Sequence, residues 1–443
     1  MAADESETAR RERAVMKRPV IGFAGLTHLG LNSAVASAAR GFDVIGYHDD
    51  AVLVEQLKAG ALHVSEPQLA ELMRDNAARL RFTASRADLA SCDIVYVAVD
   101  VPTGDDGVSD LTPVQMMINI ATAAMNTKAL LVILCQVPPG FTRQVSWPAV
   151  RLIYQVETLV FGRAIERAMY PERFIIGVNE PDAPLPAALA TYLGAFGCPT
   201  LPMRYESAEL AKISINICLV ASLSVANTLA EVCEKIGADW MEIAPALKLD
   251  KRIGLHAYLN PGLGIAGGNL ERDLATILAF TERYKTDGCV VSAFVANSQH
   301  RRDWALRTLH RLILDERPNA NIALLGLTYK ENTHSLKNSQ ALSLVNALAP
   351  RPLTAYDPVA SLDACGAQVT RKAKALDAIS GADVLVVMTP WTEFRTITAE
   401  QLKERMLGRI VLDPYRVFDG QALIAAGFTY ASLGVPTKIL EDL

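Results

Sequence analysis

Residues 20–50, VIGFAGLTHLGLNSAVASAARGFDVIGYHDD, constrain the fold more than any other stretch. The apolar run from Val20 to Ala24 reads as a buried parallel strand, and Gly25 and Gly30 mark the turn after it. An alanine-rich helix is expected from about Leu31 to Arg40, with a breaker at Gly41 and a second strand from Val44 to Tyr47. This is a βαβ unit opening a doubly wound sheet. Gly25 permits a tight turn at the strand end, and Gly30 lets the helix lie close to the sheet. The N–H groups at the helix start, around His28 and Leu29, then face outward, where a dinucleotide pyrophosphate can be held.

Two positions depart from the full dinucleotide pattern. The middle glycine of G-x-G-x-x-G is Thr27, which sets the cofactor slightly farther out or offers it a hydroxyl. The residue ending the second strand, where a carboxylate holds the adenosine ribose, is His48, followed by Asp49 and Asp50.

With 443 residues, the chain has room for two or three domains. Its 43 basic and 48 acidic residues give a net charge of −5, which supplies no basic field for nucleic acid or an anionic membrane. No run of eighteen or more apolar residues is present, so no membrane span is expected. Residues 1–17 are charged, lack a signal-peptide core and read as a disordered tail. Seven cysteines, at 92, 135, 198, 218, 233, 289 and 365, form no C-x-x-C pair and read as reduced thiols in a cytoplasmic protein. The seven histidines make no metal spacing, so no metal is expected.

Along the chain, helices are expected at Ala51 to Gly60 and Glu66 to Leu80, with a brief edge element at Phe82 to Ser85. Strands at Asp93 to Val99 and Leu130 to Gln136 end in proline-bearing loops, Val101-Pro102-Thr103-Gly104 and Val137-Pro138-Pro139-Gly140. In a parallel sheet both loops lie at the Gly25 edge, which places Val99, Pro102, Thr103 and Gln136 along one crevice. Tyr154 to Leu159 is a further crevice element, and a strand follows at Phe174 to Val178.

From Ser207 to about Lys235 no Pro or Gly interrupts a dense apolar pattern, which reads as a buried connecting helix or an oligomer interface. Glu209, Lys212 and Asn216 share one face of it. One account is a polar seam with a salt bridge. The other is a Lys–Asn pair presented to a ligand, with Lys212 moving a proton or stabilising an oxyanion. A second glycine cluster, Gly262, Gly264, Gly267 and Gly268, suggests an irregular path around a ligand, and a long helix starts at the end of this loop. Near residue 317 the α/β pattern restarts, with strands at Ile322 to Leu327, Leu353 to Tyr356, Asp383 to Met388 and Arg409 to Leu412. The expected fold class is α/β, two Rossmann-like parallel-sheet domains joined by a central helical domain. Its boundaries are 18–205 for the first α/β domain, 206–315 for the helical centre and 316–443 for the carboxyl-terminal α/β domain.

These blocks carry a resemblance. VPPG at 137–140, Glu157, AEL-x-K-x-x-x-N at 208–216 and Asp250 to Gly254 are similar to the UDP-glucose/GDP-mannose dehydrogenases, NAD-dependent nucleotide-sugar oxidoreductases. So are the glycine loop, Gly326 to Lys330, AYDP at 355–358 and TPWTEF at 389–394. The resemblance covers residues 20–430. It implies NAD as cofactor, held by Gly25, Thr27, His28, Leu29, Gly30, His48, Asp49, Val99, Pro102 and Thr103. It implies a homodimer, a nucleotide-sugar substrate and an active site containing Glu157, Lys212, Asn216 and Asp273. Arg252, Tyr258, Gly262, Gly264, Gly267, Lys330 and Lys337 are the implied substrate-binding set, Arg252 reaching across the dimer.

Family chemistry oxidises a sugar C6 alcohol to the acid in two hydride transfers, holding the aldehyde on a cysteine of the glycine loop. In register from Gly264 to Asp273, that position is Asn269, whose amide is no nucleophile. Gln136 stands where a Thr is usual, Val160 replaces an arginine, and Lys337 replaces another. The reading that follows is one hydride transfer, or oxidation linked to epimerisation. Two alternatives stay open: four-electron oxidation through a gem-diol formed with Asp273, and nucleotide-sugar binding without turnover.

Overall fold

The structure, a computed structural model, describes residues 18–104, 107–360 and 369–438. The expected tail at 1–17 and Cys365 lie outside the described residues. The described residues form two compact units, one drawn from Met1–Pro102 and Ser109–Ser214, the other from Thr103–Val108 and Ile215–Leu443.

The first unit is built on an eight-stranded sheet. Its strands are β1 (Ile21–Ala24), β2 (Val44–Tyr47), β3 (Leu80–Thr83), β4 (Ile94–Val97), β5 (Leu130–Ile133), β6 (Leu152–Gln155), β7 (Phe174–Val178) and β8 (Thr200–Arg204). They lie in the order β3-β2-β1-β4-β5-β6-β7-β8. The first six are parallel, with the 3-2-1-4-5-6 order of a dinucleotide fold. The sheet is not parallel throughout, because β7 pairs antiparallel with β6 and carries β8 with it. All four residues of β1, β2, β4 and β5 are buried, which a sheet covered on both faces requires. Ile21, Phe23, Ile94 and Tyr96 enter one core layer, and Leu26, Leu31, Val54 and Phe82 another.

Local chemistry moves several boundaries. The first helix begins at His28, earlier than its apolar pattern indicates, and runs to Ala39. The helix expected from Glu66 to Leu80 is shorter, Leu69–Asp75: Pro67 cannot extend it, and Gln68 before it is left-handed at φ 67°. The element expected at Tyr154 to Leu159 begins inside a central strand, Leu152–Gln155.

The second unit begins with the larger part of a 32-residue helix, Tyr205–Ile236. By length and composition this helix could cross a membrane, an exception to the sequence expectation. Glu209, Lys212, Asn216 and Asn227 on it are engaged with protein groups, as set out below. Trp240–Leu249, Asn269–Tyr284 and Cys289–Arg302 follow. Ala226, Ala230 and Cys233 pack on Trp240 and Leu259, and the Trp240 indole donates to the Leu259 carbonyl at 2.8 Å.

The second sheet of this unit is parallel: β9 (Ile322–Leu325), β10 (Leu353–Tyr356), β11 (Val369–Arg371), β12 (Val384–Val387), β13 (Ile410–Leu412) and β14 (Thr429–Ala431). Its order is β11-β10-β9-β12-β13-β14, the 3-2-1-4-5-6 arrangement again. Alternation shows in its strands, Ile322, Leu324, Val384 and Val386 facing one core layer and Ala323, Leu325, Leu385 and Val387 the other. β11 and β14, three residues each, are too short for a period to show in sequence.

Candidate active site and cofactor turn

The turn after β1 has the shape a dinucleotide needs. Gly25 sits at φ 102°, and a Cβ there would lie 2.5 Å from the Val99 side chain. A Cβ on Gly30 would lie 1.9 Å from the Gly25 carbonyl oxygen, so only glycine lets the helix press onto the turn. Thr27 precedes the helix without a side-chain cap, and its hydroxyl is directed to the Ala98 carbonyl at 3.4 Å. The first-turn N–H groups have no acceptors within the helix. The donor set and the helix dipole fit a pyrophosphate.

His28 contributes to this turn through backbone, since its ring is engaged elsewhere. Its Nε2 is 2.7 Å from the Glu66 carboxylate, and the ring lies against Phe161. Glu66, buried, also accepts from the N–H groups of Gly162 at 2.9 Å and Ala164 at 3.2 Å. Leu29 and Val99 are buried walls, and Pro102 lies exposed at the loop after β4, its carbonyl accepting from Asp110 N–H at 2.8 Å. His48 and Asp49 follow β2, with the His48 Nδ1 3.3 Å from the Asp49 carboxylate.

Two residues after β6 lies Glu157, whose side chain meets Lys212. The ammonium is 3.2 Å from Glu157 Oε2 and donates to the Glu157 carbonyl at 2.9 Å. The other Glu157 oxygen accepts from Leu159 N–H. Glu209 does not pair with Lys212, so the account of a seam salt-bridged along one helix face does not hold for this pair. Its carboxylate instead accepts from Gly140 N–H at 2.6 Å and Thr142 N–H at 2.7 Å, fastening the VPPG loop. Burial raises the Glu209 carboxyl above its usual range despite these bonds. Gln136 is half-buried at the β5 end. Cys135 beside it is fully buried, its thiol donating to the Val97 carbonyl and accepting from Val99 N–H, both at 3.3 Å. Burial pushes this thiol up to about 12, which removes it as a nucleophile at neutral pH.

In the second unit, Asn216 donates to Asp273 at 2.5 Å, and the Arg272 guanidinium is 3.4 Å from the same carboxylate. Asn269 is exposed as the first residue of the Asn269–Tyr284 helix. The expected helix thus starts inside the glycine loop, with Gly268 at φ 94° before it. The loop is tied to the turn after β9. Gln340 donates to the Gly264 carbonyl at 3.1 Å, Gly267 N–H to the Lys337 carbonyl at 3.3 Å, and a Cβ on Gly267 would be 2.6 Å from Tyr329. Gly262 N–H donates to Asn227 at 2.8 Å. The Lys337 ammonium donates to the Thr103 carbonyl, and Lys330 lies over the Tyr329 ring, 5.6 Å from its centroid. Arg252 and Tyr258 are exposed, Arg252 ion-paired with Asp250 at 2.6 Å.

The second glycine turn differs from the first in one respect. Asp357, after β10, accepts from Leu327 N–H at 2.7 Å and Thr328 N–H at 3.2 Å, the donors that follow Gly326. A protein carboxylate therefore ties down the backbone donors just after the Gly326 turn. Neither this role nor those of Glu66 and Glu209 was assigned from sequence. Glu66 and Asp357 each precede a proline and Glu209 lies within a helix, and only the fold shows which turn each one reaches.

Three family models match in order. They are the UDP-glucose/GDP-mannose dehydrogenase family NAD binding domain over residues 19–192, its central domain over 206–299 and its UDP binding domain over 323–420. The chain is 30% identical to a UDP-glucose 6-dehydrogenase of Rhizobium meliloti strain 1021, over 94% of this chain and 99% of that one. It is 27% identical to the UDP-glucose 6-dehydrogenase of Rickettsia typhi, again over 94% and 99%. A solved UDP-glucose dehydrogenase from Pyrobaculum islandicum superposes with a TM-score of 0.81 at 25% identity, covering 92% of this chain and 98% of that one.

Proposed function

The chain belongs to the UDP-glucose/GDP-mannose dehydrogenase family, and from that premise we propose a nucleotide-sugar oxidoreductase whose reaction ends before the acid. It is an NAD-dependent enzyme, and the amino-terminal glycine turn is the fitted place for NAD. The observation that carries the reading is Asn269, an amide at the position of the family's thiol, together with the inert Cys135. Without a nucleophile to hold the aldehyde, the second oxidation has no covalent stage.

In this reading the cofactor supplies a hydride acceptor. Lys212, positioned by both the carbonyl and the carboxylate of Glu157, takes the alcohol proton as the neutral amine or, as the ammonium, stabilises the oxyanion as the C–H bond breaks. Asn216, held by Asp273, orients a sugar hydroxyl. The product is an aldehyde or ketone, or an epimer if the hydride returns to the opposite face. Lys330 and Lys337 belong to the nucleotide-sugar and phosphate-binding set. Arg252 and Tyr258, exposed within one chain, act in a homodimer. That assembly is supported by the apolar side chains exposed along the long helix, among them Leu219, Val225, Leu229 and Val232. Six free cysteines among the described residues accord with a cytoplasmic setting.

One observation favours a second reading. Asp273 is a buried carboxylate, 1% exposed, and in the family register it could deprotonate a water that adds to the aldehyde. Four-electron oxidation through a gem-diol would follow, more slowly than with a positioned trap. A screen of UDP-, GDP- and other nucleotide sugars with and without NAD, read by mass spectrometry, tests both. A carbonyl product or an epimer supports the first reading; a uronic acid from the unmodified protein overturns it.

A further inference from the structure

The end of β2 is where a dinucleotide fold distinguishes a ribose hydroxyl from a ribose phosphate. A carboxylate there accepts from the 2′-hydroxyl, whereas a basic group accommodates a 2′-phosphate. The residue leaving β2 here is His48. Its Nδ1 accepts from the backbone N–H of Asp50 at 3.0 Å, which places the ring proton on Nε2 as a donor. The carboxylates that follow do not restore an acceptor in its place. Asp50 is consumed as the N-cap of the Ala51–Lys58 helix, accepting from Val52 N–H at 2.8 Å and Leu53 N–H at 3.2 Å. Asp49 is turned to the Nδ1 side of the imidazole, 3.3 Å away, with its side chain 64% exposed.

Further basic groups surround this strand end. The Arg86 guanidinium is close enough to act on the Tyr47 phenol, opposing the burial and the Asp49 charge that raise it. The His63 ring faces His48 and bonds to the Leu26 backbone. Burial first, then the His48 ring, holds it below its usual range against that bond and the Asp100 charge. Asp49 and Asp100 are the acidic counterparts, and Asp49, next to His48, lies on the Nδ1 side of its ring and not on the Nε2 side.

We propose that His48 admits a 2′-phosphate at the adenosine ribose, so that the protein binds NADP as well as NAD. The imidazole donates to the phosphate oxygens where a family carboxylate would repel them.

Calorimetric titration of the full-length protein with NAD and NADP separately, without sugar, tests this. The dissociation constants are expected to lie within about tenfold of one another. His48→Asp is expected to weaken NADP by more than about tenfold relative to NAD, and His48→Ala to weaken NADP more than NAD. Wild-type NADP weaker than NAD by more than about tenfold, or a ratio unchanged in both variants, overturns the proposal. NAD binding is the internal control: NAD bound without NADP defeats this inference and leaves the reading of the reaction untouched.

Discussion

Lys212 is clamped by a single residue, its ammonium 2.9 Å from the Glu157 carbonyl and 3.2 Å from the Glu157 carboxylate. A lysine held at two points keeps its third hydrogen-bonding direction free for a substrate oxygen. Lys212→Ala is expected to lower hydride transfer by about 10²–10⁴-fold while nucleotide-sugar affinity changes little. Single-turnover NADH absorbance beside calorimetry of the sugar nucleotide checks this. Undiminished NADH formation contradicts the role.

Glu209 fastens the VPPG loop through Gly140 and Thr142, and burial raises its carboxyl above the usual range. Between the ordinary carboxylate pKa and this raised value, the folded state holds a proton that the unfolded state has lost. Stability therefore falls as pH rises through that window and is level above it. Glu209→Gln is expected to abolish this slope and to cost about 1–3 kcal/mol at neutral pH, because its NH₂ faces a backbone donor. Urea unfolding across acidic pH would show both effects.

Asp357 behaves in the opposite sense. Burial pushes its carboxyl up, but N–H bonds from Leu327, Val359, Ala360 and Thr328 together hold it below the usual range. Its stabilisation is complete above the ordinary carboxylate pKa and is lost as pH falls through the depressed value. Asp357→Asn, which keeps only one acceptor oxygen for these donors and the Trp391 indole, is expected to destabilise by about 2–3 kcal/mol. Urea midpoints at neutral pH measure the loss, and an unchanged midpoint would show that the carboxylate is not what secures the Gly326 turn.

Much of this architecture was legible because parallel strands buried on both faces are written as continuous apolar runs, as at Ile94–Val97 and Val384–Val387. NAD as cofactor and the family both followed from ordered blocks. Strand β7 could not be given its direction from sequence, since an apolar run reads the same either way. The start of the helix at Asn269 was hidden by the glycines before it, whose positive φ values only the fold requires. Glu209 was visible on the right helix, but its partner was not. Helical spacing places Glu209 and Lys212 on a common face, yet the stronger demand comes from backbone donors of a loop 67 and 69 residues away in sequence.

Asn269→Cys restores a thiol at the first residue of a 16-residue helix, where the helix dipole favours a thiolate. If the missing nucleophile alone prevents the second oxidation, this variant is expected to convert a fitting nucleotide hexose to its uronic acid, seen by product mass. A carbonyl product from the variant would instead assign the block to other altered positions, Gln136 among them.

The central claim is most directly tested by counting NADH formed per nucleotide sugar consumed by the unmodified protein, with the product mass determined in the same reaction. The account predicts a single NADH with a carbonyl product, or no net NADH with an epimer of unchanged mass. Two NADH per sugar, with a carboxylate product, would contradict it.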